Sequence, residues 1–172
     1  MIVRYKGGHV EEPKAGLHKN VIVLDFRNLY PSIIVTHNIS PETLNCKHEK
    51  CRVKNMVPEI NRWFCVKTEG IIPKRIKKMI TYRELIKKHL KSKGLSKTEK
   101  TSLEQKEKRL KLAANIQYGL FSFKRSDHYC VKCGEATSIF GRFYLKKTID
   151  LAEKTGFKLI YADTDSLFLT SN

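Results

Sequence analysis

The stretch Leu159-Ile160-Tyr161-Ala162-Asp163-Thr164-Asp165-Ser166-Leu167-Phe168 sets two carboxylates one residue apart between two apolar runs. Short apolar runs on either side of a polar tetrapeptide read as two strands joined by a tight turn. Near the other end of the chain, Val21-Ile22-Val23-Leu24-Asp25-Phe26 is a strand-type apolar run that carries a third carboxylate. A buried, unpaired charge is costly, so an apolar strand that ends in Asp needs a reason. Laying the two elements side by side gathers three carboxylates at one sheet edge. That arrangement suits a pair of Mg²⁺ ions and phosphoryl transfer. The Ala-Asp-Thr-Asp turn has no glycine, and strain is expected at its tip.

The 172 residues suffice for one domain with a real core, burying roughly 70% of the extended surface. The hydrophobic fraction is 41%, and no apolar stretch approaches the ~20 residues of a membrane span. Met1-Ile2-Val3-Arg4-Tyr5-Lys6-Gly7-Gly8 has no apolar region of the kind a secretory leader needs, so a cytoplasmic location is expected. Lys and Arg number 34 against 17 Asp and Glu, a net charge of +17. Residues 71–111 hold 15 basic and 4 acidic residues, so 11 of the 17 excess charges sit in this one segment. A local field of that sign predicts a polyanionic partner, nucleic acid or nucleotide phosphate. A solvated lysine-rich surface, as in some thermophile proteins, is the plainer reading of the same charge.

Between the acidic segments the periodicity changes. Leu29 to Val35 reads as a short apolar helix that tolerates Pro31 in its first turn. Residues 38–70 carry Pro41, Pro58 and four Cys or His positions and read as loop. A helix of about 20 residues begins at Pro73, with Ile76, Ile80, Leu85 (or Ile86) and Leu90 roughly at helical spacing, and Lys93-Gly94 closes it. Ser96-Lys97-Thr98-Glu99 fits a capping box for a second helix, extended to about Tyr118. Two basic helices joined by a short turn predict a projecting antiparallel hairpin. A third helix over residues 135–154 has Ile139, Phe143, Ile149 and Leu151 as an imperfect apolar stripe. Tyr5-Lys6-Gly7-Gly8 reads as a glycine-bearing turn. The fold class is therefore α+β.

Arg83 and Lys87 are four apart on the first long helix; Lys111, Asn115 and Tyr118 share one face of the second. Turned toward the carboxylates, three cations and an amide would meet a triphosphate. Lysine is so dense here that such spacings also arise by chance.

The five cysteines are Cys46, Cys51, Cys65, Cys130 and Cys133. Cys130-Val131-Lys132-Cys133 has C-x₂-C spacing, which is half a zinc site at best, and Cys46 and Cys51 flank His48. Disulfides, free thiols and a zinc site including Cys46 or His48 all stay open on the residues alone.

The order of the parts carries a resemblance. Asp25-Phe26-Arg27-Asn28-Leu29-Tyr30-Pro31-Ser32-Ile33-Ile34 resembles motif A of B-family DNA polymerases, DFxSLYPSII. Lys111-Leu112-Ala113-Ala114-Asn115-Ile116-Gln117-Tyr118-Gly119 resembles motif B, KxxxNSxYG, and Tyr161-Ala162-Asp163-Thr164-Asp165-Ser166 resembles motif C, YxDTDS. Tyr5-Lys6-Gly7-Gly8 resembles the YxGG element that joins exonuclease and polymerase regions. The short span between motifs A and B is similar to the archaeal, nucleic-acid-primed branch.

The resemblance implies a polymerase palm, an antiparallel sheet with packed helices, in residues 1–72 and 124–172. It implies a fingers hairpin in residues 73–123. It implies Asp25 and Asp165, with the Phe26 backbone carbonyl, as ligands of two Mg²⁺ ions, and Asp163 as a supporting catalytic carboxylate. Leu29, Tyr30, Arg83, Lys87, Lys111 and Asn115 would bind the incoming deoxyribonucleoside triphosphate, with the Tyr30 ring as a sugar gate. Tyr5, Gly7, Gly8, Tyr118 and Gly119 would contact primer–template DNA. Cys51–Cys65 and Cys130–Cys133 resemble disulfides of hyperthermophilic archaeal members. The implied partners are DNA, dNTPs and a second chain supplying thumb or exonuclease, with a nucleoid-associated location. A DNA-binding relic without turnover is the alternative. The chain departs from the pattern at Asn28, where Ser is usual, and at Ile116, which replaces the Ser after the motif B Asn.

Overall fold

A computed structural model describes residues 5–171. Met1–Arg4, part of the segment read above as lacking a leader's apolar region, and Asn172 lie outside the described residues. The chain is a mixed α/β protein built on one small antiparallel sheet. Strands β1 (Val10–Glu11), β2 (Val21–Asp25), β3 (Phe157–Asp163) and β4 (Ser166–Ser171) lie in the order β1-β3-β4-β2, every neighbouring pair antiparallel. The first and last segments of the sequence thus meet in one sheet.

In β4 the alternation is clean: Leu167 and Leu169 are buried, while Phe168 and Thr170 are half-exposed. Those leucines join Leu159 and Ala162 of β3 in a core with Leu145, Ile149 and Ala152 of helix α5 (Val131–Lys154). β3 carries an irregularity in its register between Leu159 and Tyr161. An antiparallel sheet covered on one face by a helix explains the period-two burial.

β2 departs from expectation. Its five residues, Val21 to Asp25, are all exposed, with Val23 at 55%. Leu24 and Ile22 stand opposite Leu167 and Leu169 and so share their face, yet α5 packs over β3 rather than over the outer strand. An apolar run predicts burial only where another layer reaches it.

The helical part surrounds a second core. Helix α1 (Leu29–Thr36) buries Leu29, Pro31, Ile33 and Ile34, with Pro31 in its first turn where a missing N–H costs nothing. Residues 38–70 are mostly irregular, as read, but hold a 3₁₀ turn at Pro41–Thr43 and a short helix α2 (Glu49–Lys54). Helices α3 (Ile71–His89) and α4 (Lys97–Leu120) form the expected hairpin, with Gly94 at φ 97° in the connection. At the start of α4 the Ser96 Oγ accepts from the Glu99 N–H at 3.2 Å, and the Ser96 N–H donates to the Glu99 carboxylate at 2.9 Å. That is the capping box the sequence spelled.

The structure decides between Leu85 and Ile86: Ile86 is the buried residue of the outer half of α3, while Leu85 is exposed. Two readings are corrected. In α5, Phe143 and Leu151 are exposed, and Phe140 and Leu145 take the core positions. A 3.6-residue period identifies a helix before it identifies which neighbouring apolar residue faces inward. Tyr5 to His9 form no turn. Arg142, buried in α5, donates through Nη1 to the Lys6 and Gly7 carbonyls at 2.8 and 2.9 Å, tying this segment to the helix.

Candidate active site

Strand pairing brings the carboxylate segments together. Asp25 closes β2 opposite Ser166, and the Phe26 N–H donates to the Asp165 carbonyl at 2.8 Å. The β3–β4 turn is tight, and Thr164 at its tip has φ 52°, left-handed backbone that a β-branched residue rarely adopts. The strain expected of a glycine-free turn sits there. The Thr164 N–H donates to the His9 carbonyl at 2.8 Å, which draws the Gly7-Gly8 segment against the turn. A side chain at Gly8 would place its Cβ 2.4 Å from Thr164 Oγ1, so this glycine answers to close approach. Nothing lies within 4 Å of a Cβ built at Gly7 or Gly119.

A cleft of about 430 Å³ opens beside this edge. Asp25, Phe26, Thr164 and Asp165 line it from the sheet, and Arg27, Asn28, Leu29, Tyr30 and Pro31 from the start of α1. Arg83 of α3 and Lys111 and Asn115 of α4 close it from the hairpin. Burial raises the Asp165 pKa above the ordinary carboxylate range, and the nearby Asp25 and Asp163 carboxylates add to the rise. A bound cation would offset this repulsion between carboxylates. Two carboxylates and a backbone carbonyl are hard oxygen donors of the kind Mg²⁺ takes, so the residues fit the ion.

Asp163 stands apart. Its carboxylate accepts from Thr164 Oγ1 at 2.9 Å and Tyr161 Oη at 3.4 Å, and it does not line the cleft. Lys87 also lies outside, lining a neighbouring groove with Arg27. The Tyr30 and Tyr118 rings pack with centroids 4.3 Å apart, and Tyr118 Oη and Ser138 Oγ share a hydrogen bond of 2.7 Å. Burial and the neighbouring Tyr118 push the Tyr30 phenol up to about 12, so it is neutral at physiological pH. Tyr5 Oη is 2.7 Å from Ser122 Oγ, just beyond α4. Ile116 is 47% exposed.

One residue, Glu107, escaped the sequence reading, and so did the contact that Asn28 makes. Glu107 accepts from Arg83 Nε at 2.6 Å and lies 3.5 Å from Lys87 Nζ, bridging the two helices. Burial alone would raise its pKa, but the Arg83 hydrogen bond and charge hold it below the ordinary range. Its signal was available, because Glu107 precedes Lys111, Asn115 and Tyr118 on the same face of α4. Asn28 accepts from Arg83 Nη1 at 3.0 Å and carries φ 53° as the residue before α1. Nothing in the composition of that segment showed that an αL residue was needed.

The expected disulfides are absent from the structure, where all five cysteines are free thiols. Cys130 and Cys133 Sγ lie 2.8 Å apart. Cys51 and Cys65 are instead two members of a four-residue group with Cys46 and His48.

Fold and cleft together define a mixed α/β protein in which an acidic sheet edge shares a cavity with a basic helical hairpin. The chain belongs to DNA polymerase family B, whose sequence profile matches residues 2–172. It is 41% identical to a DNA polymerase of Thermococcus gorgonarius over 167 residues, 96% of this chain and 21% of the relative. With DNA polymerase 1 of Pyrococcus abyssi the identity is 39% over 166 residues, again 96% and 21%. The solved structure of the family B DNA polymerase from the hyperthermophilic archaeon Pyrobaculum calidifontis superimposes with a TM-score of 0.78 at 32% identity. It covers all of this chain and 23% of that one. The chain thus spans about a fifth of the length of the relatives it matches. No helix among the described residues is long and apolar enough to cross a membrane.

Proposed function

We propose that this chain forms the palm and fingers of a DNA-directed DNA polymerase, with palm in residues 1–72 and 124–172 and fingers in 73–123. The observation that carries this reading is the convergence of Asp25 and Asp165 with Arg83, Lys111 and Asn115 on one cleft in a chain of this family.

In this reading Asp25, Asp165 and the Phe26 carbonyl hold two Mg²⁺ ions, with Asp163 supporting the turn from behind. When bound, the ions supply the positive charge that favours a primer 3′-oxyanion and a leaving pyrophosphate. The chain's own residues position the reactants. Arg83 and Lys111 bind the triphosphate oxygens, Asn115 adds a neutral hydrogen bond, and Lys87 approaches from the groove side. The backbone N–H groups of Leu29 and Tyr30 face the same phosphates. The 3′-hydroxyl gives its proton to water and its oxygen bonds the α-phosphorus in line, while the bond from that phosphorus to the α,β-bridging oxygen breaks and pyrophosphate leaves with its electron pair. Tyr30, braced by Tyr118, stands where a ribose 2′-hydroxyl would fall and so favours deoxyribonucleotides. Tyr5, Gly7, Gly8, Tyr118 and Gly119 lie along the primer–template, and a nucleoid-associated location follows from that partner.

The test is single-turnover extension of a primed template by excess protein, with and without Mg²⁺. Extension should require Mg²⁺ and fall at least about 10³-fold in both Asp25→Ala and Asp165→Ala. Extension that survives both substitutions defeats the proposal. The excess of 15 basic over 4 acidic residues in 71–111 also suits a second reading, a DNA-binding module without turnover. That reading predicts salt-dependent DNA binding and no extension by the unaltered chain.

A further inference from the structure

Outside the acidic cleft, the segment between α1 and α3 folds three thiols and an imidazole into one cluster. The ligand atoms of Cys46, His48, Cys51 and Cys65 all lie within 4.8 Å of one another. A tetrahedral zinc ion with bonds of about 2.0–2.3 Å sets its ligand atoms roughly 3.3–3.8 Å apart, so the cluster needs only a small contraction to enclose one. Cys65 Sγ and His48 Nδ1 are already 3.5 Å apart. We infer that Cys46, His48, Cys51 and Cys65 form a structural zinc site of the Cys₃His type.

The surroundings fit bound thiolates. The Val66 N–H points at Cys51 Sγ, and the Lys67 and Thr68 N–H groups point at Cys65 Sγ, each at 3.4 Å. Backbone donors directed at sulfur stabilise thiolate ligands as they do in other outer shells of metal sites. Three thiolates and one Zn²⁺ leave one negative charge, and Lys47, Lys50, Arg52 and Lys67 lie in the same segment to balance it. The backbone delivers each ligand by a separate device. Asn45 at φ 51° turns the chain, and Trp63 Nε1 donates to the Cys46 carbonyl at 3.0 Å. His48 precedes α2 and Cys51 sits within it. Cys65 is tied to the 3₁₀ turn by its N–H bond to the Thr43 carbonyl at 2.9 Å. A Cys51–Cys65 disulfide would use two of the four groups and leave Cys46 and His48 without a task.

The site has a structural consequence. Asn38 Nδ2 donates to the Cys65 carbonyl at 2.6 Å, and Asn38 Oδ1 accepts from the Gly70 N–H at 2.7 Å, the residue before α3. Metal at the cluster therefore anchors the root of the helical hairpin to the end of α1.

The test uses the full chain, reduced and freed of metal, then titrated with Co²⁺ and separately loaded with Zn²⁺ and desalted. One zinc per chain should be retained, and cobalt should give the intense visible bands of a tetrahedral ion together with a thiolate charge-transfer band. Cys46→Ser and His48→Ala should each weaken cobalt binding by on the order of 10²-fold or more, since even outer-shell changes cost 10–100-fold. A Cys130→Ser/Cys133→Ser variant should bind as the unaltered chain does. Should either ligand variant fail to fold, zinc protection of Cys46 from alkylation in the unaltered chain reads the same site. The inference is overturned by a reduced chain that retains no zinc and leaves Cys46 equally reactive with and without it. Metal lost only from the Cys130/Cys133 variant overturns it equally.

Discussion

Arg83 Nη1 donates to Asn28 Oδ1 at 3.0 Å, joining the middle of α3 to the residue that begins α1. Asn28 sits at φ 53°, and Asn is among the few side chains that tolerate left-handed backbone because it bonds locally. One residue thus meets a backbone demand and aims a guanidinium at the cleft. The departure from the family pattern at this position, Asn for Ser, has a physical reason in this chain.

Asn28→Ala should therefore cost more than Asn28→Gly. Both lose the acceptor for the charged Arg83, worth about 1.5–3 kcal/mol, but only Ala must hold left-handed backbone against its Cβ, at about 1–2 kcal/mol more. Urea denaturation of the two variants checks this. Equal midpoints would show that the left-handed conformation is not what Asn28 is there for.

Glu107 holds Arg83 and Lys87 between the helices, with the Glu107 and Arg83 side chains only 15% and 12% exposed. Glu107→Gln leaves a nearly buried guanidinium without its charge partner and should cost about 1.5–3 kcal/mol, the worth of hydrogen bonds to charged groups. Glu107→Asp, which keeps the charge, should recover part of the loss. The measurement is the denaturation midpoint of each variant, and a neutral Glu107→Gln would mean the contact contributes nothing.

Much of this architecture was legible because its signals are local. The capping box at Ser96–Glu99, the hairpin around Gly94 and the paired strands around Asp163 and Asp165 follow from neighbouring residues. The convergence of Asp25 with Asp165 needed only the two strands to pair. What escaped depends on contacts across the fold. The exposure of Val21–Leu24 reflects α5 packing over β3 and not over β2, and the Glu107–Arg83 pair spans two helices. The Cys46–Cys65 cluster is assembled from a turn, a short helix and a loop end that share no periodicity. Likewise, Leu85 and Ile86 are equally apolar neighbours, and only packing decided that Ile86 is buried.

Gly8 and Thr164 should be energetically coupled. Gly8→Ala drives a Cβ to 2.4 Å from Thr164 Oγ1 and should destabilise by about 1–3 kcal/mol, as overpacking does. Thr164→Gly removes both the obstructing side chain and a β-branched residue at φ 52°. The double variant should therefore regain most of what Gly8→Ala lost. A double-mutant cycle with no interaction energy would place the strain of the turn elsewhere.

Asp165 makes stability depend on pH in a direction opposite to that of a salt-bridged carboxylate. Burial, then Asp25 and Asp163, raise its folded pKa, so the folded chain binds this proton more tightly than the unfolded chain does. Below the ordinary carboxylate range both states are protonated and the site carries no penalty. As pH rises from that range through the raised value, the folded carboxyl must ionise beside its neighbours and stability falls. Asp165→Asn removes the penalty, so it should raise Tm at pH 7, and the gain should vanish near pH 3.5, below the ordinary Asp pKa of about 3.9. In the unaltered chain Mg²⁺ should raise Tm at pH 7 and have little effect at the acid end, where protonated carboxyls bind it poorly. Thermal melts of both chains across this range, with and without Mg²⁺, decide the matter. An Asp165→Asn variant no more stable than the unaltered chain at neutral pH would show that the carboxylates do not strain one another in the folded site.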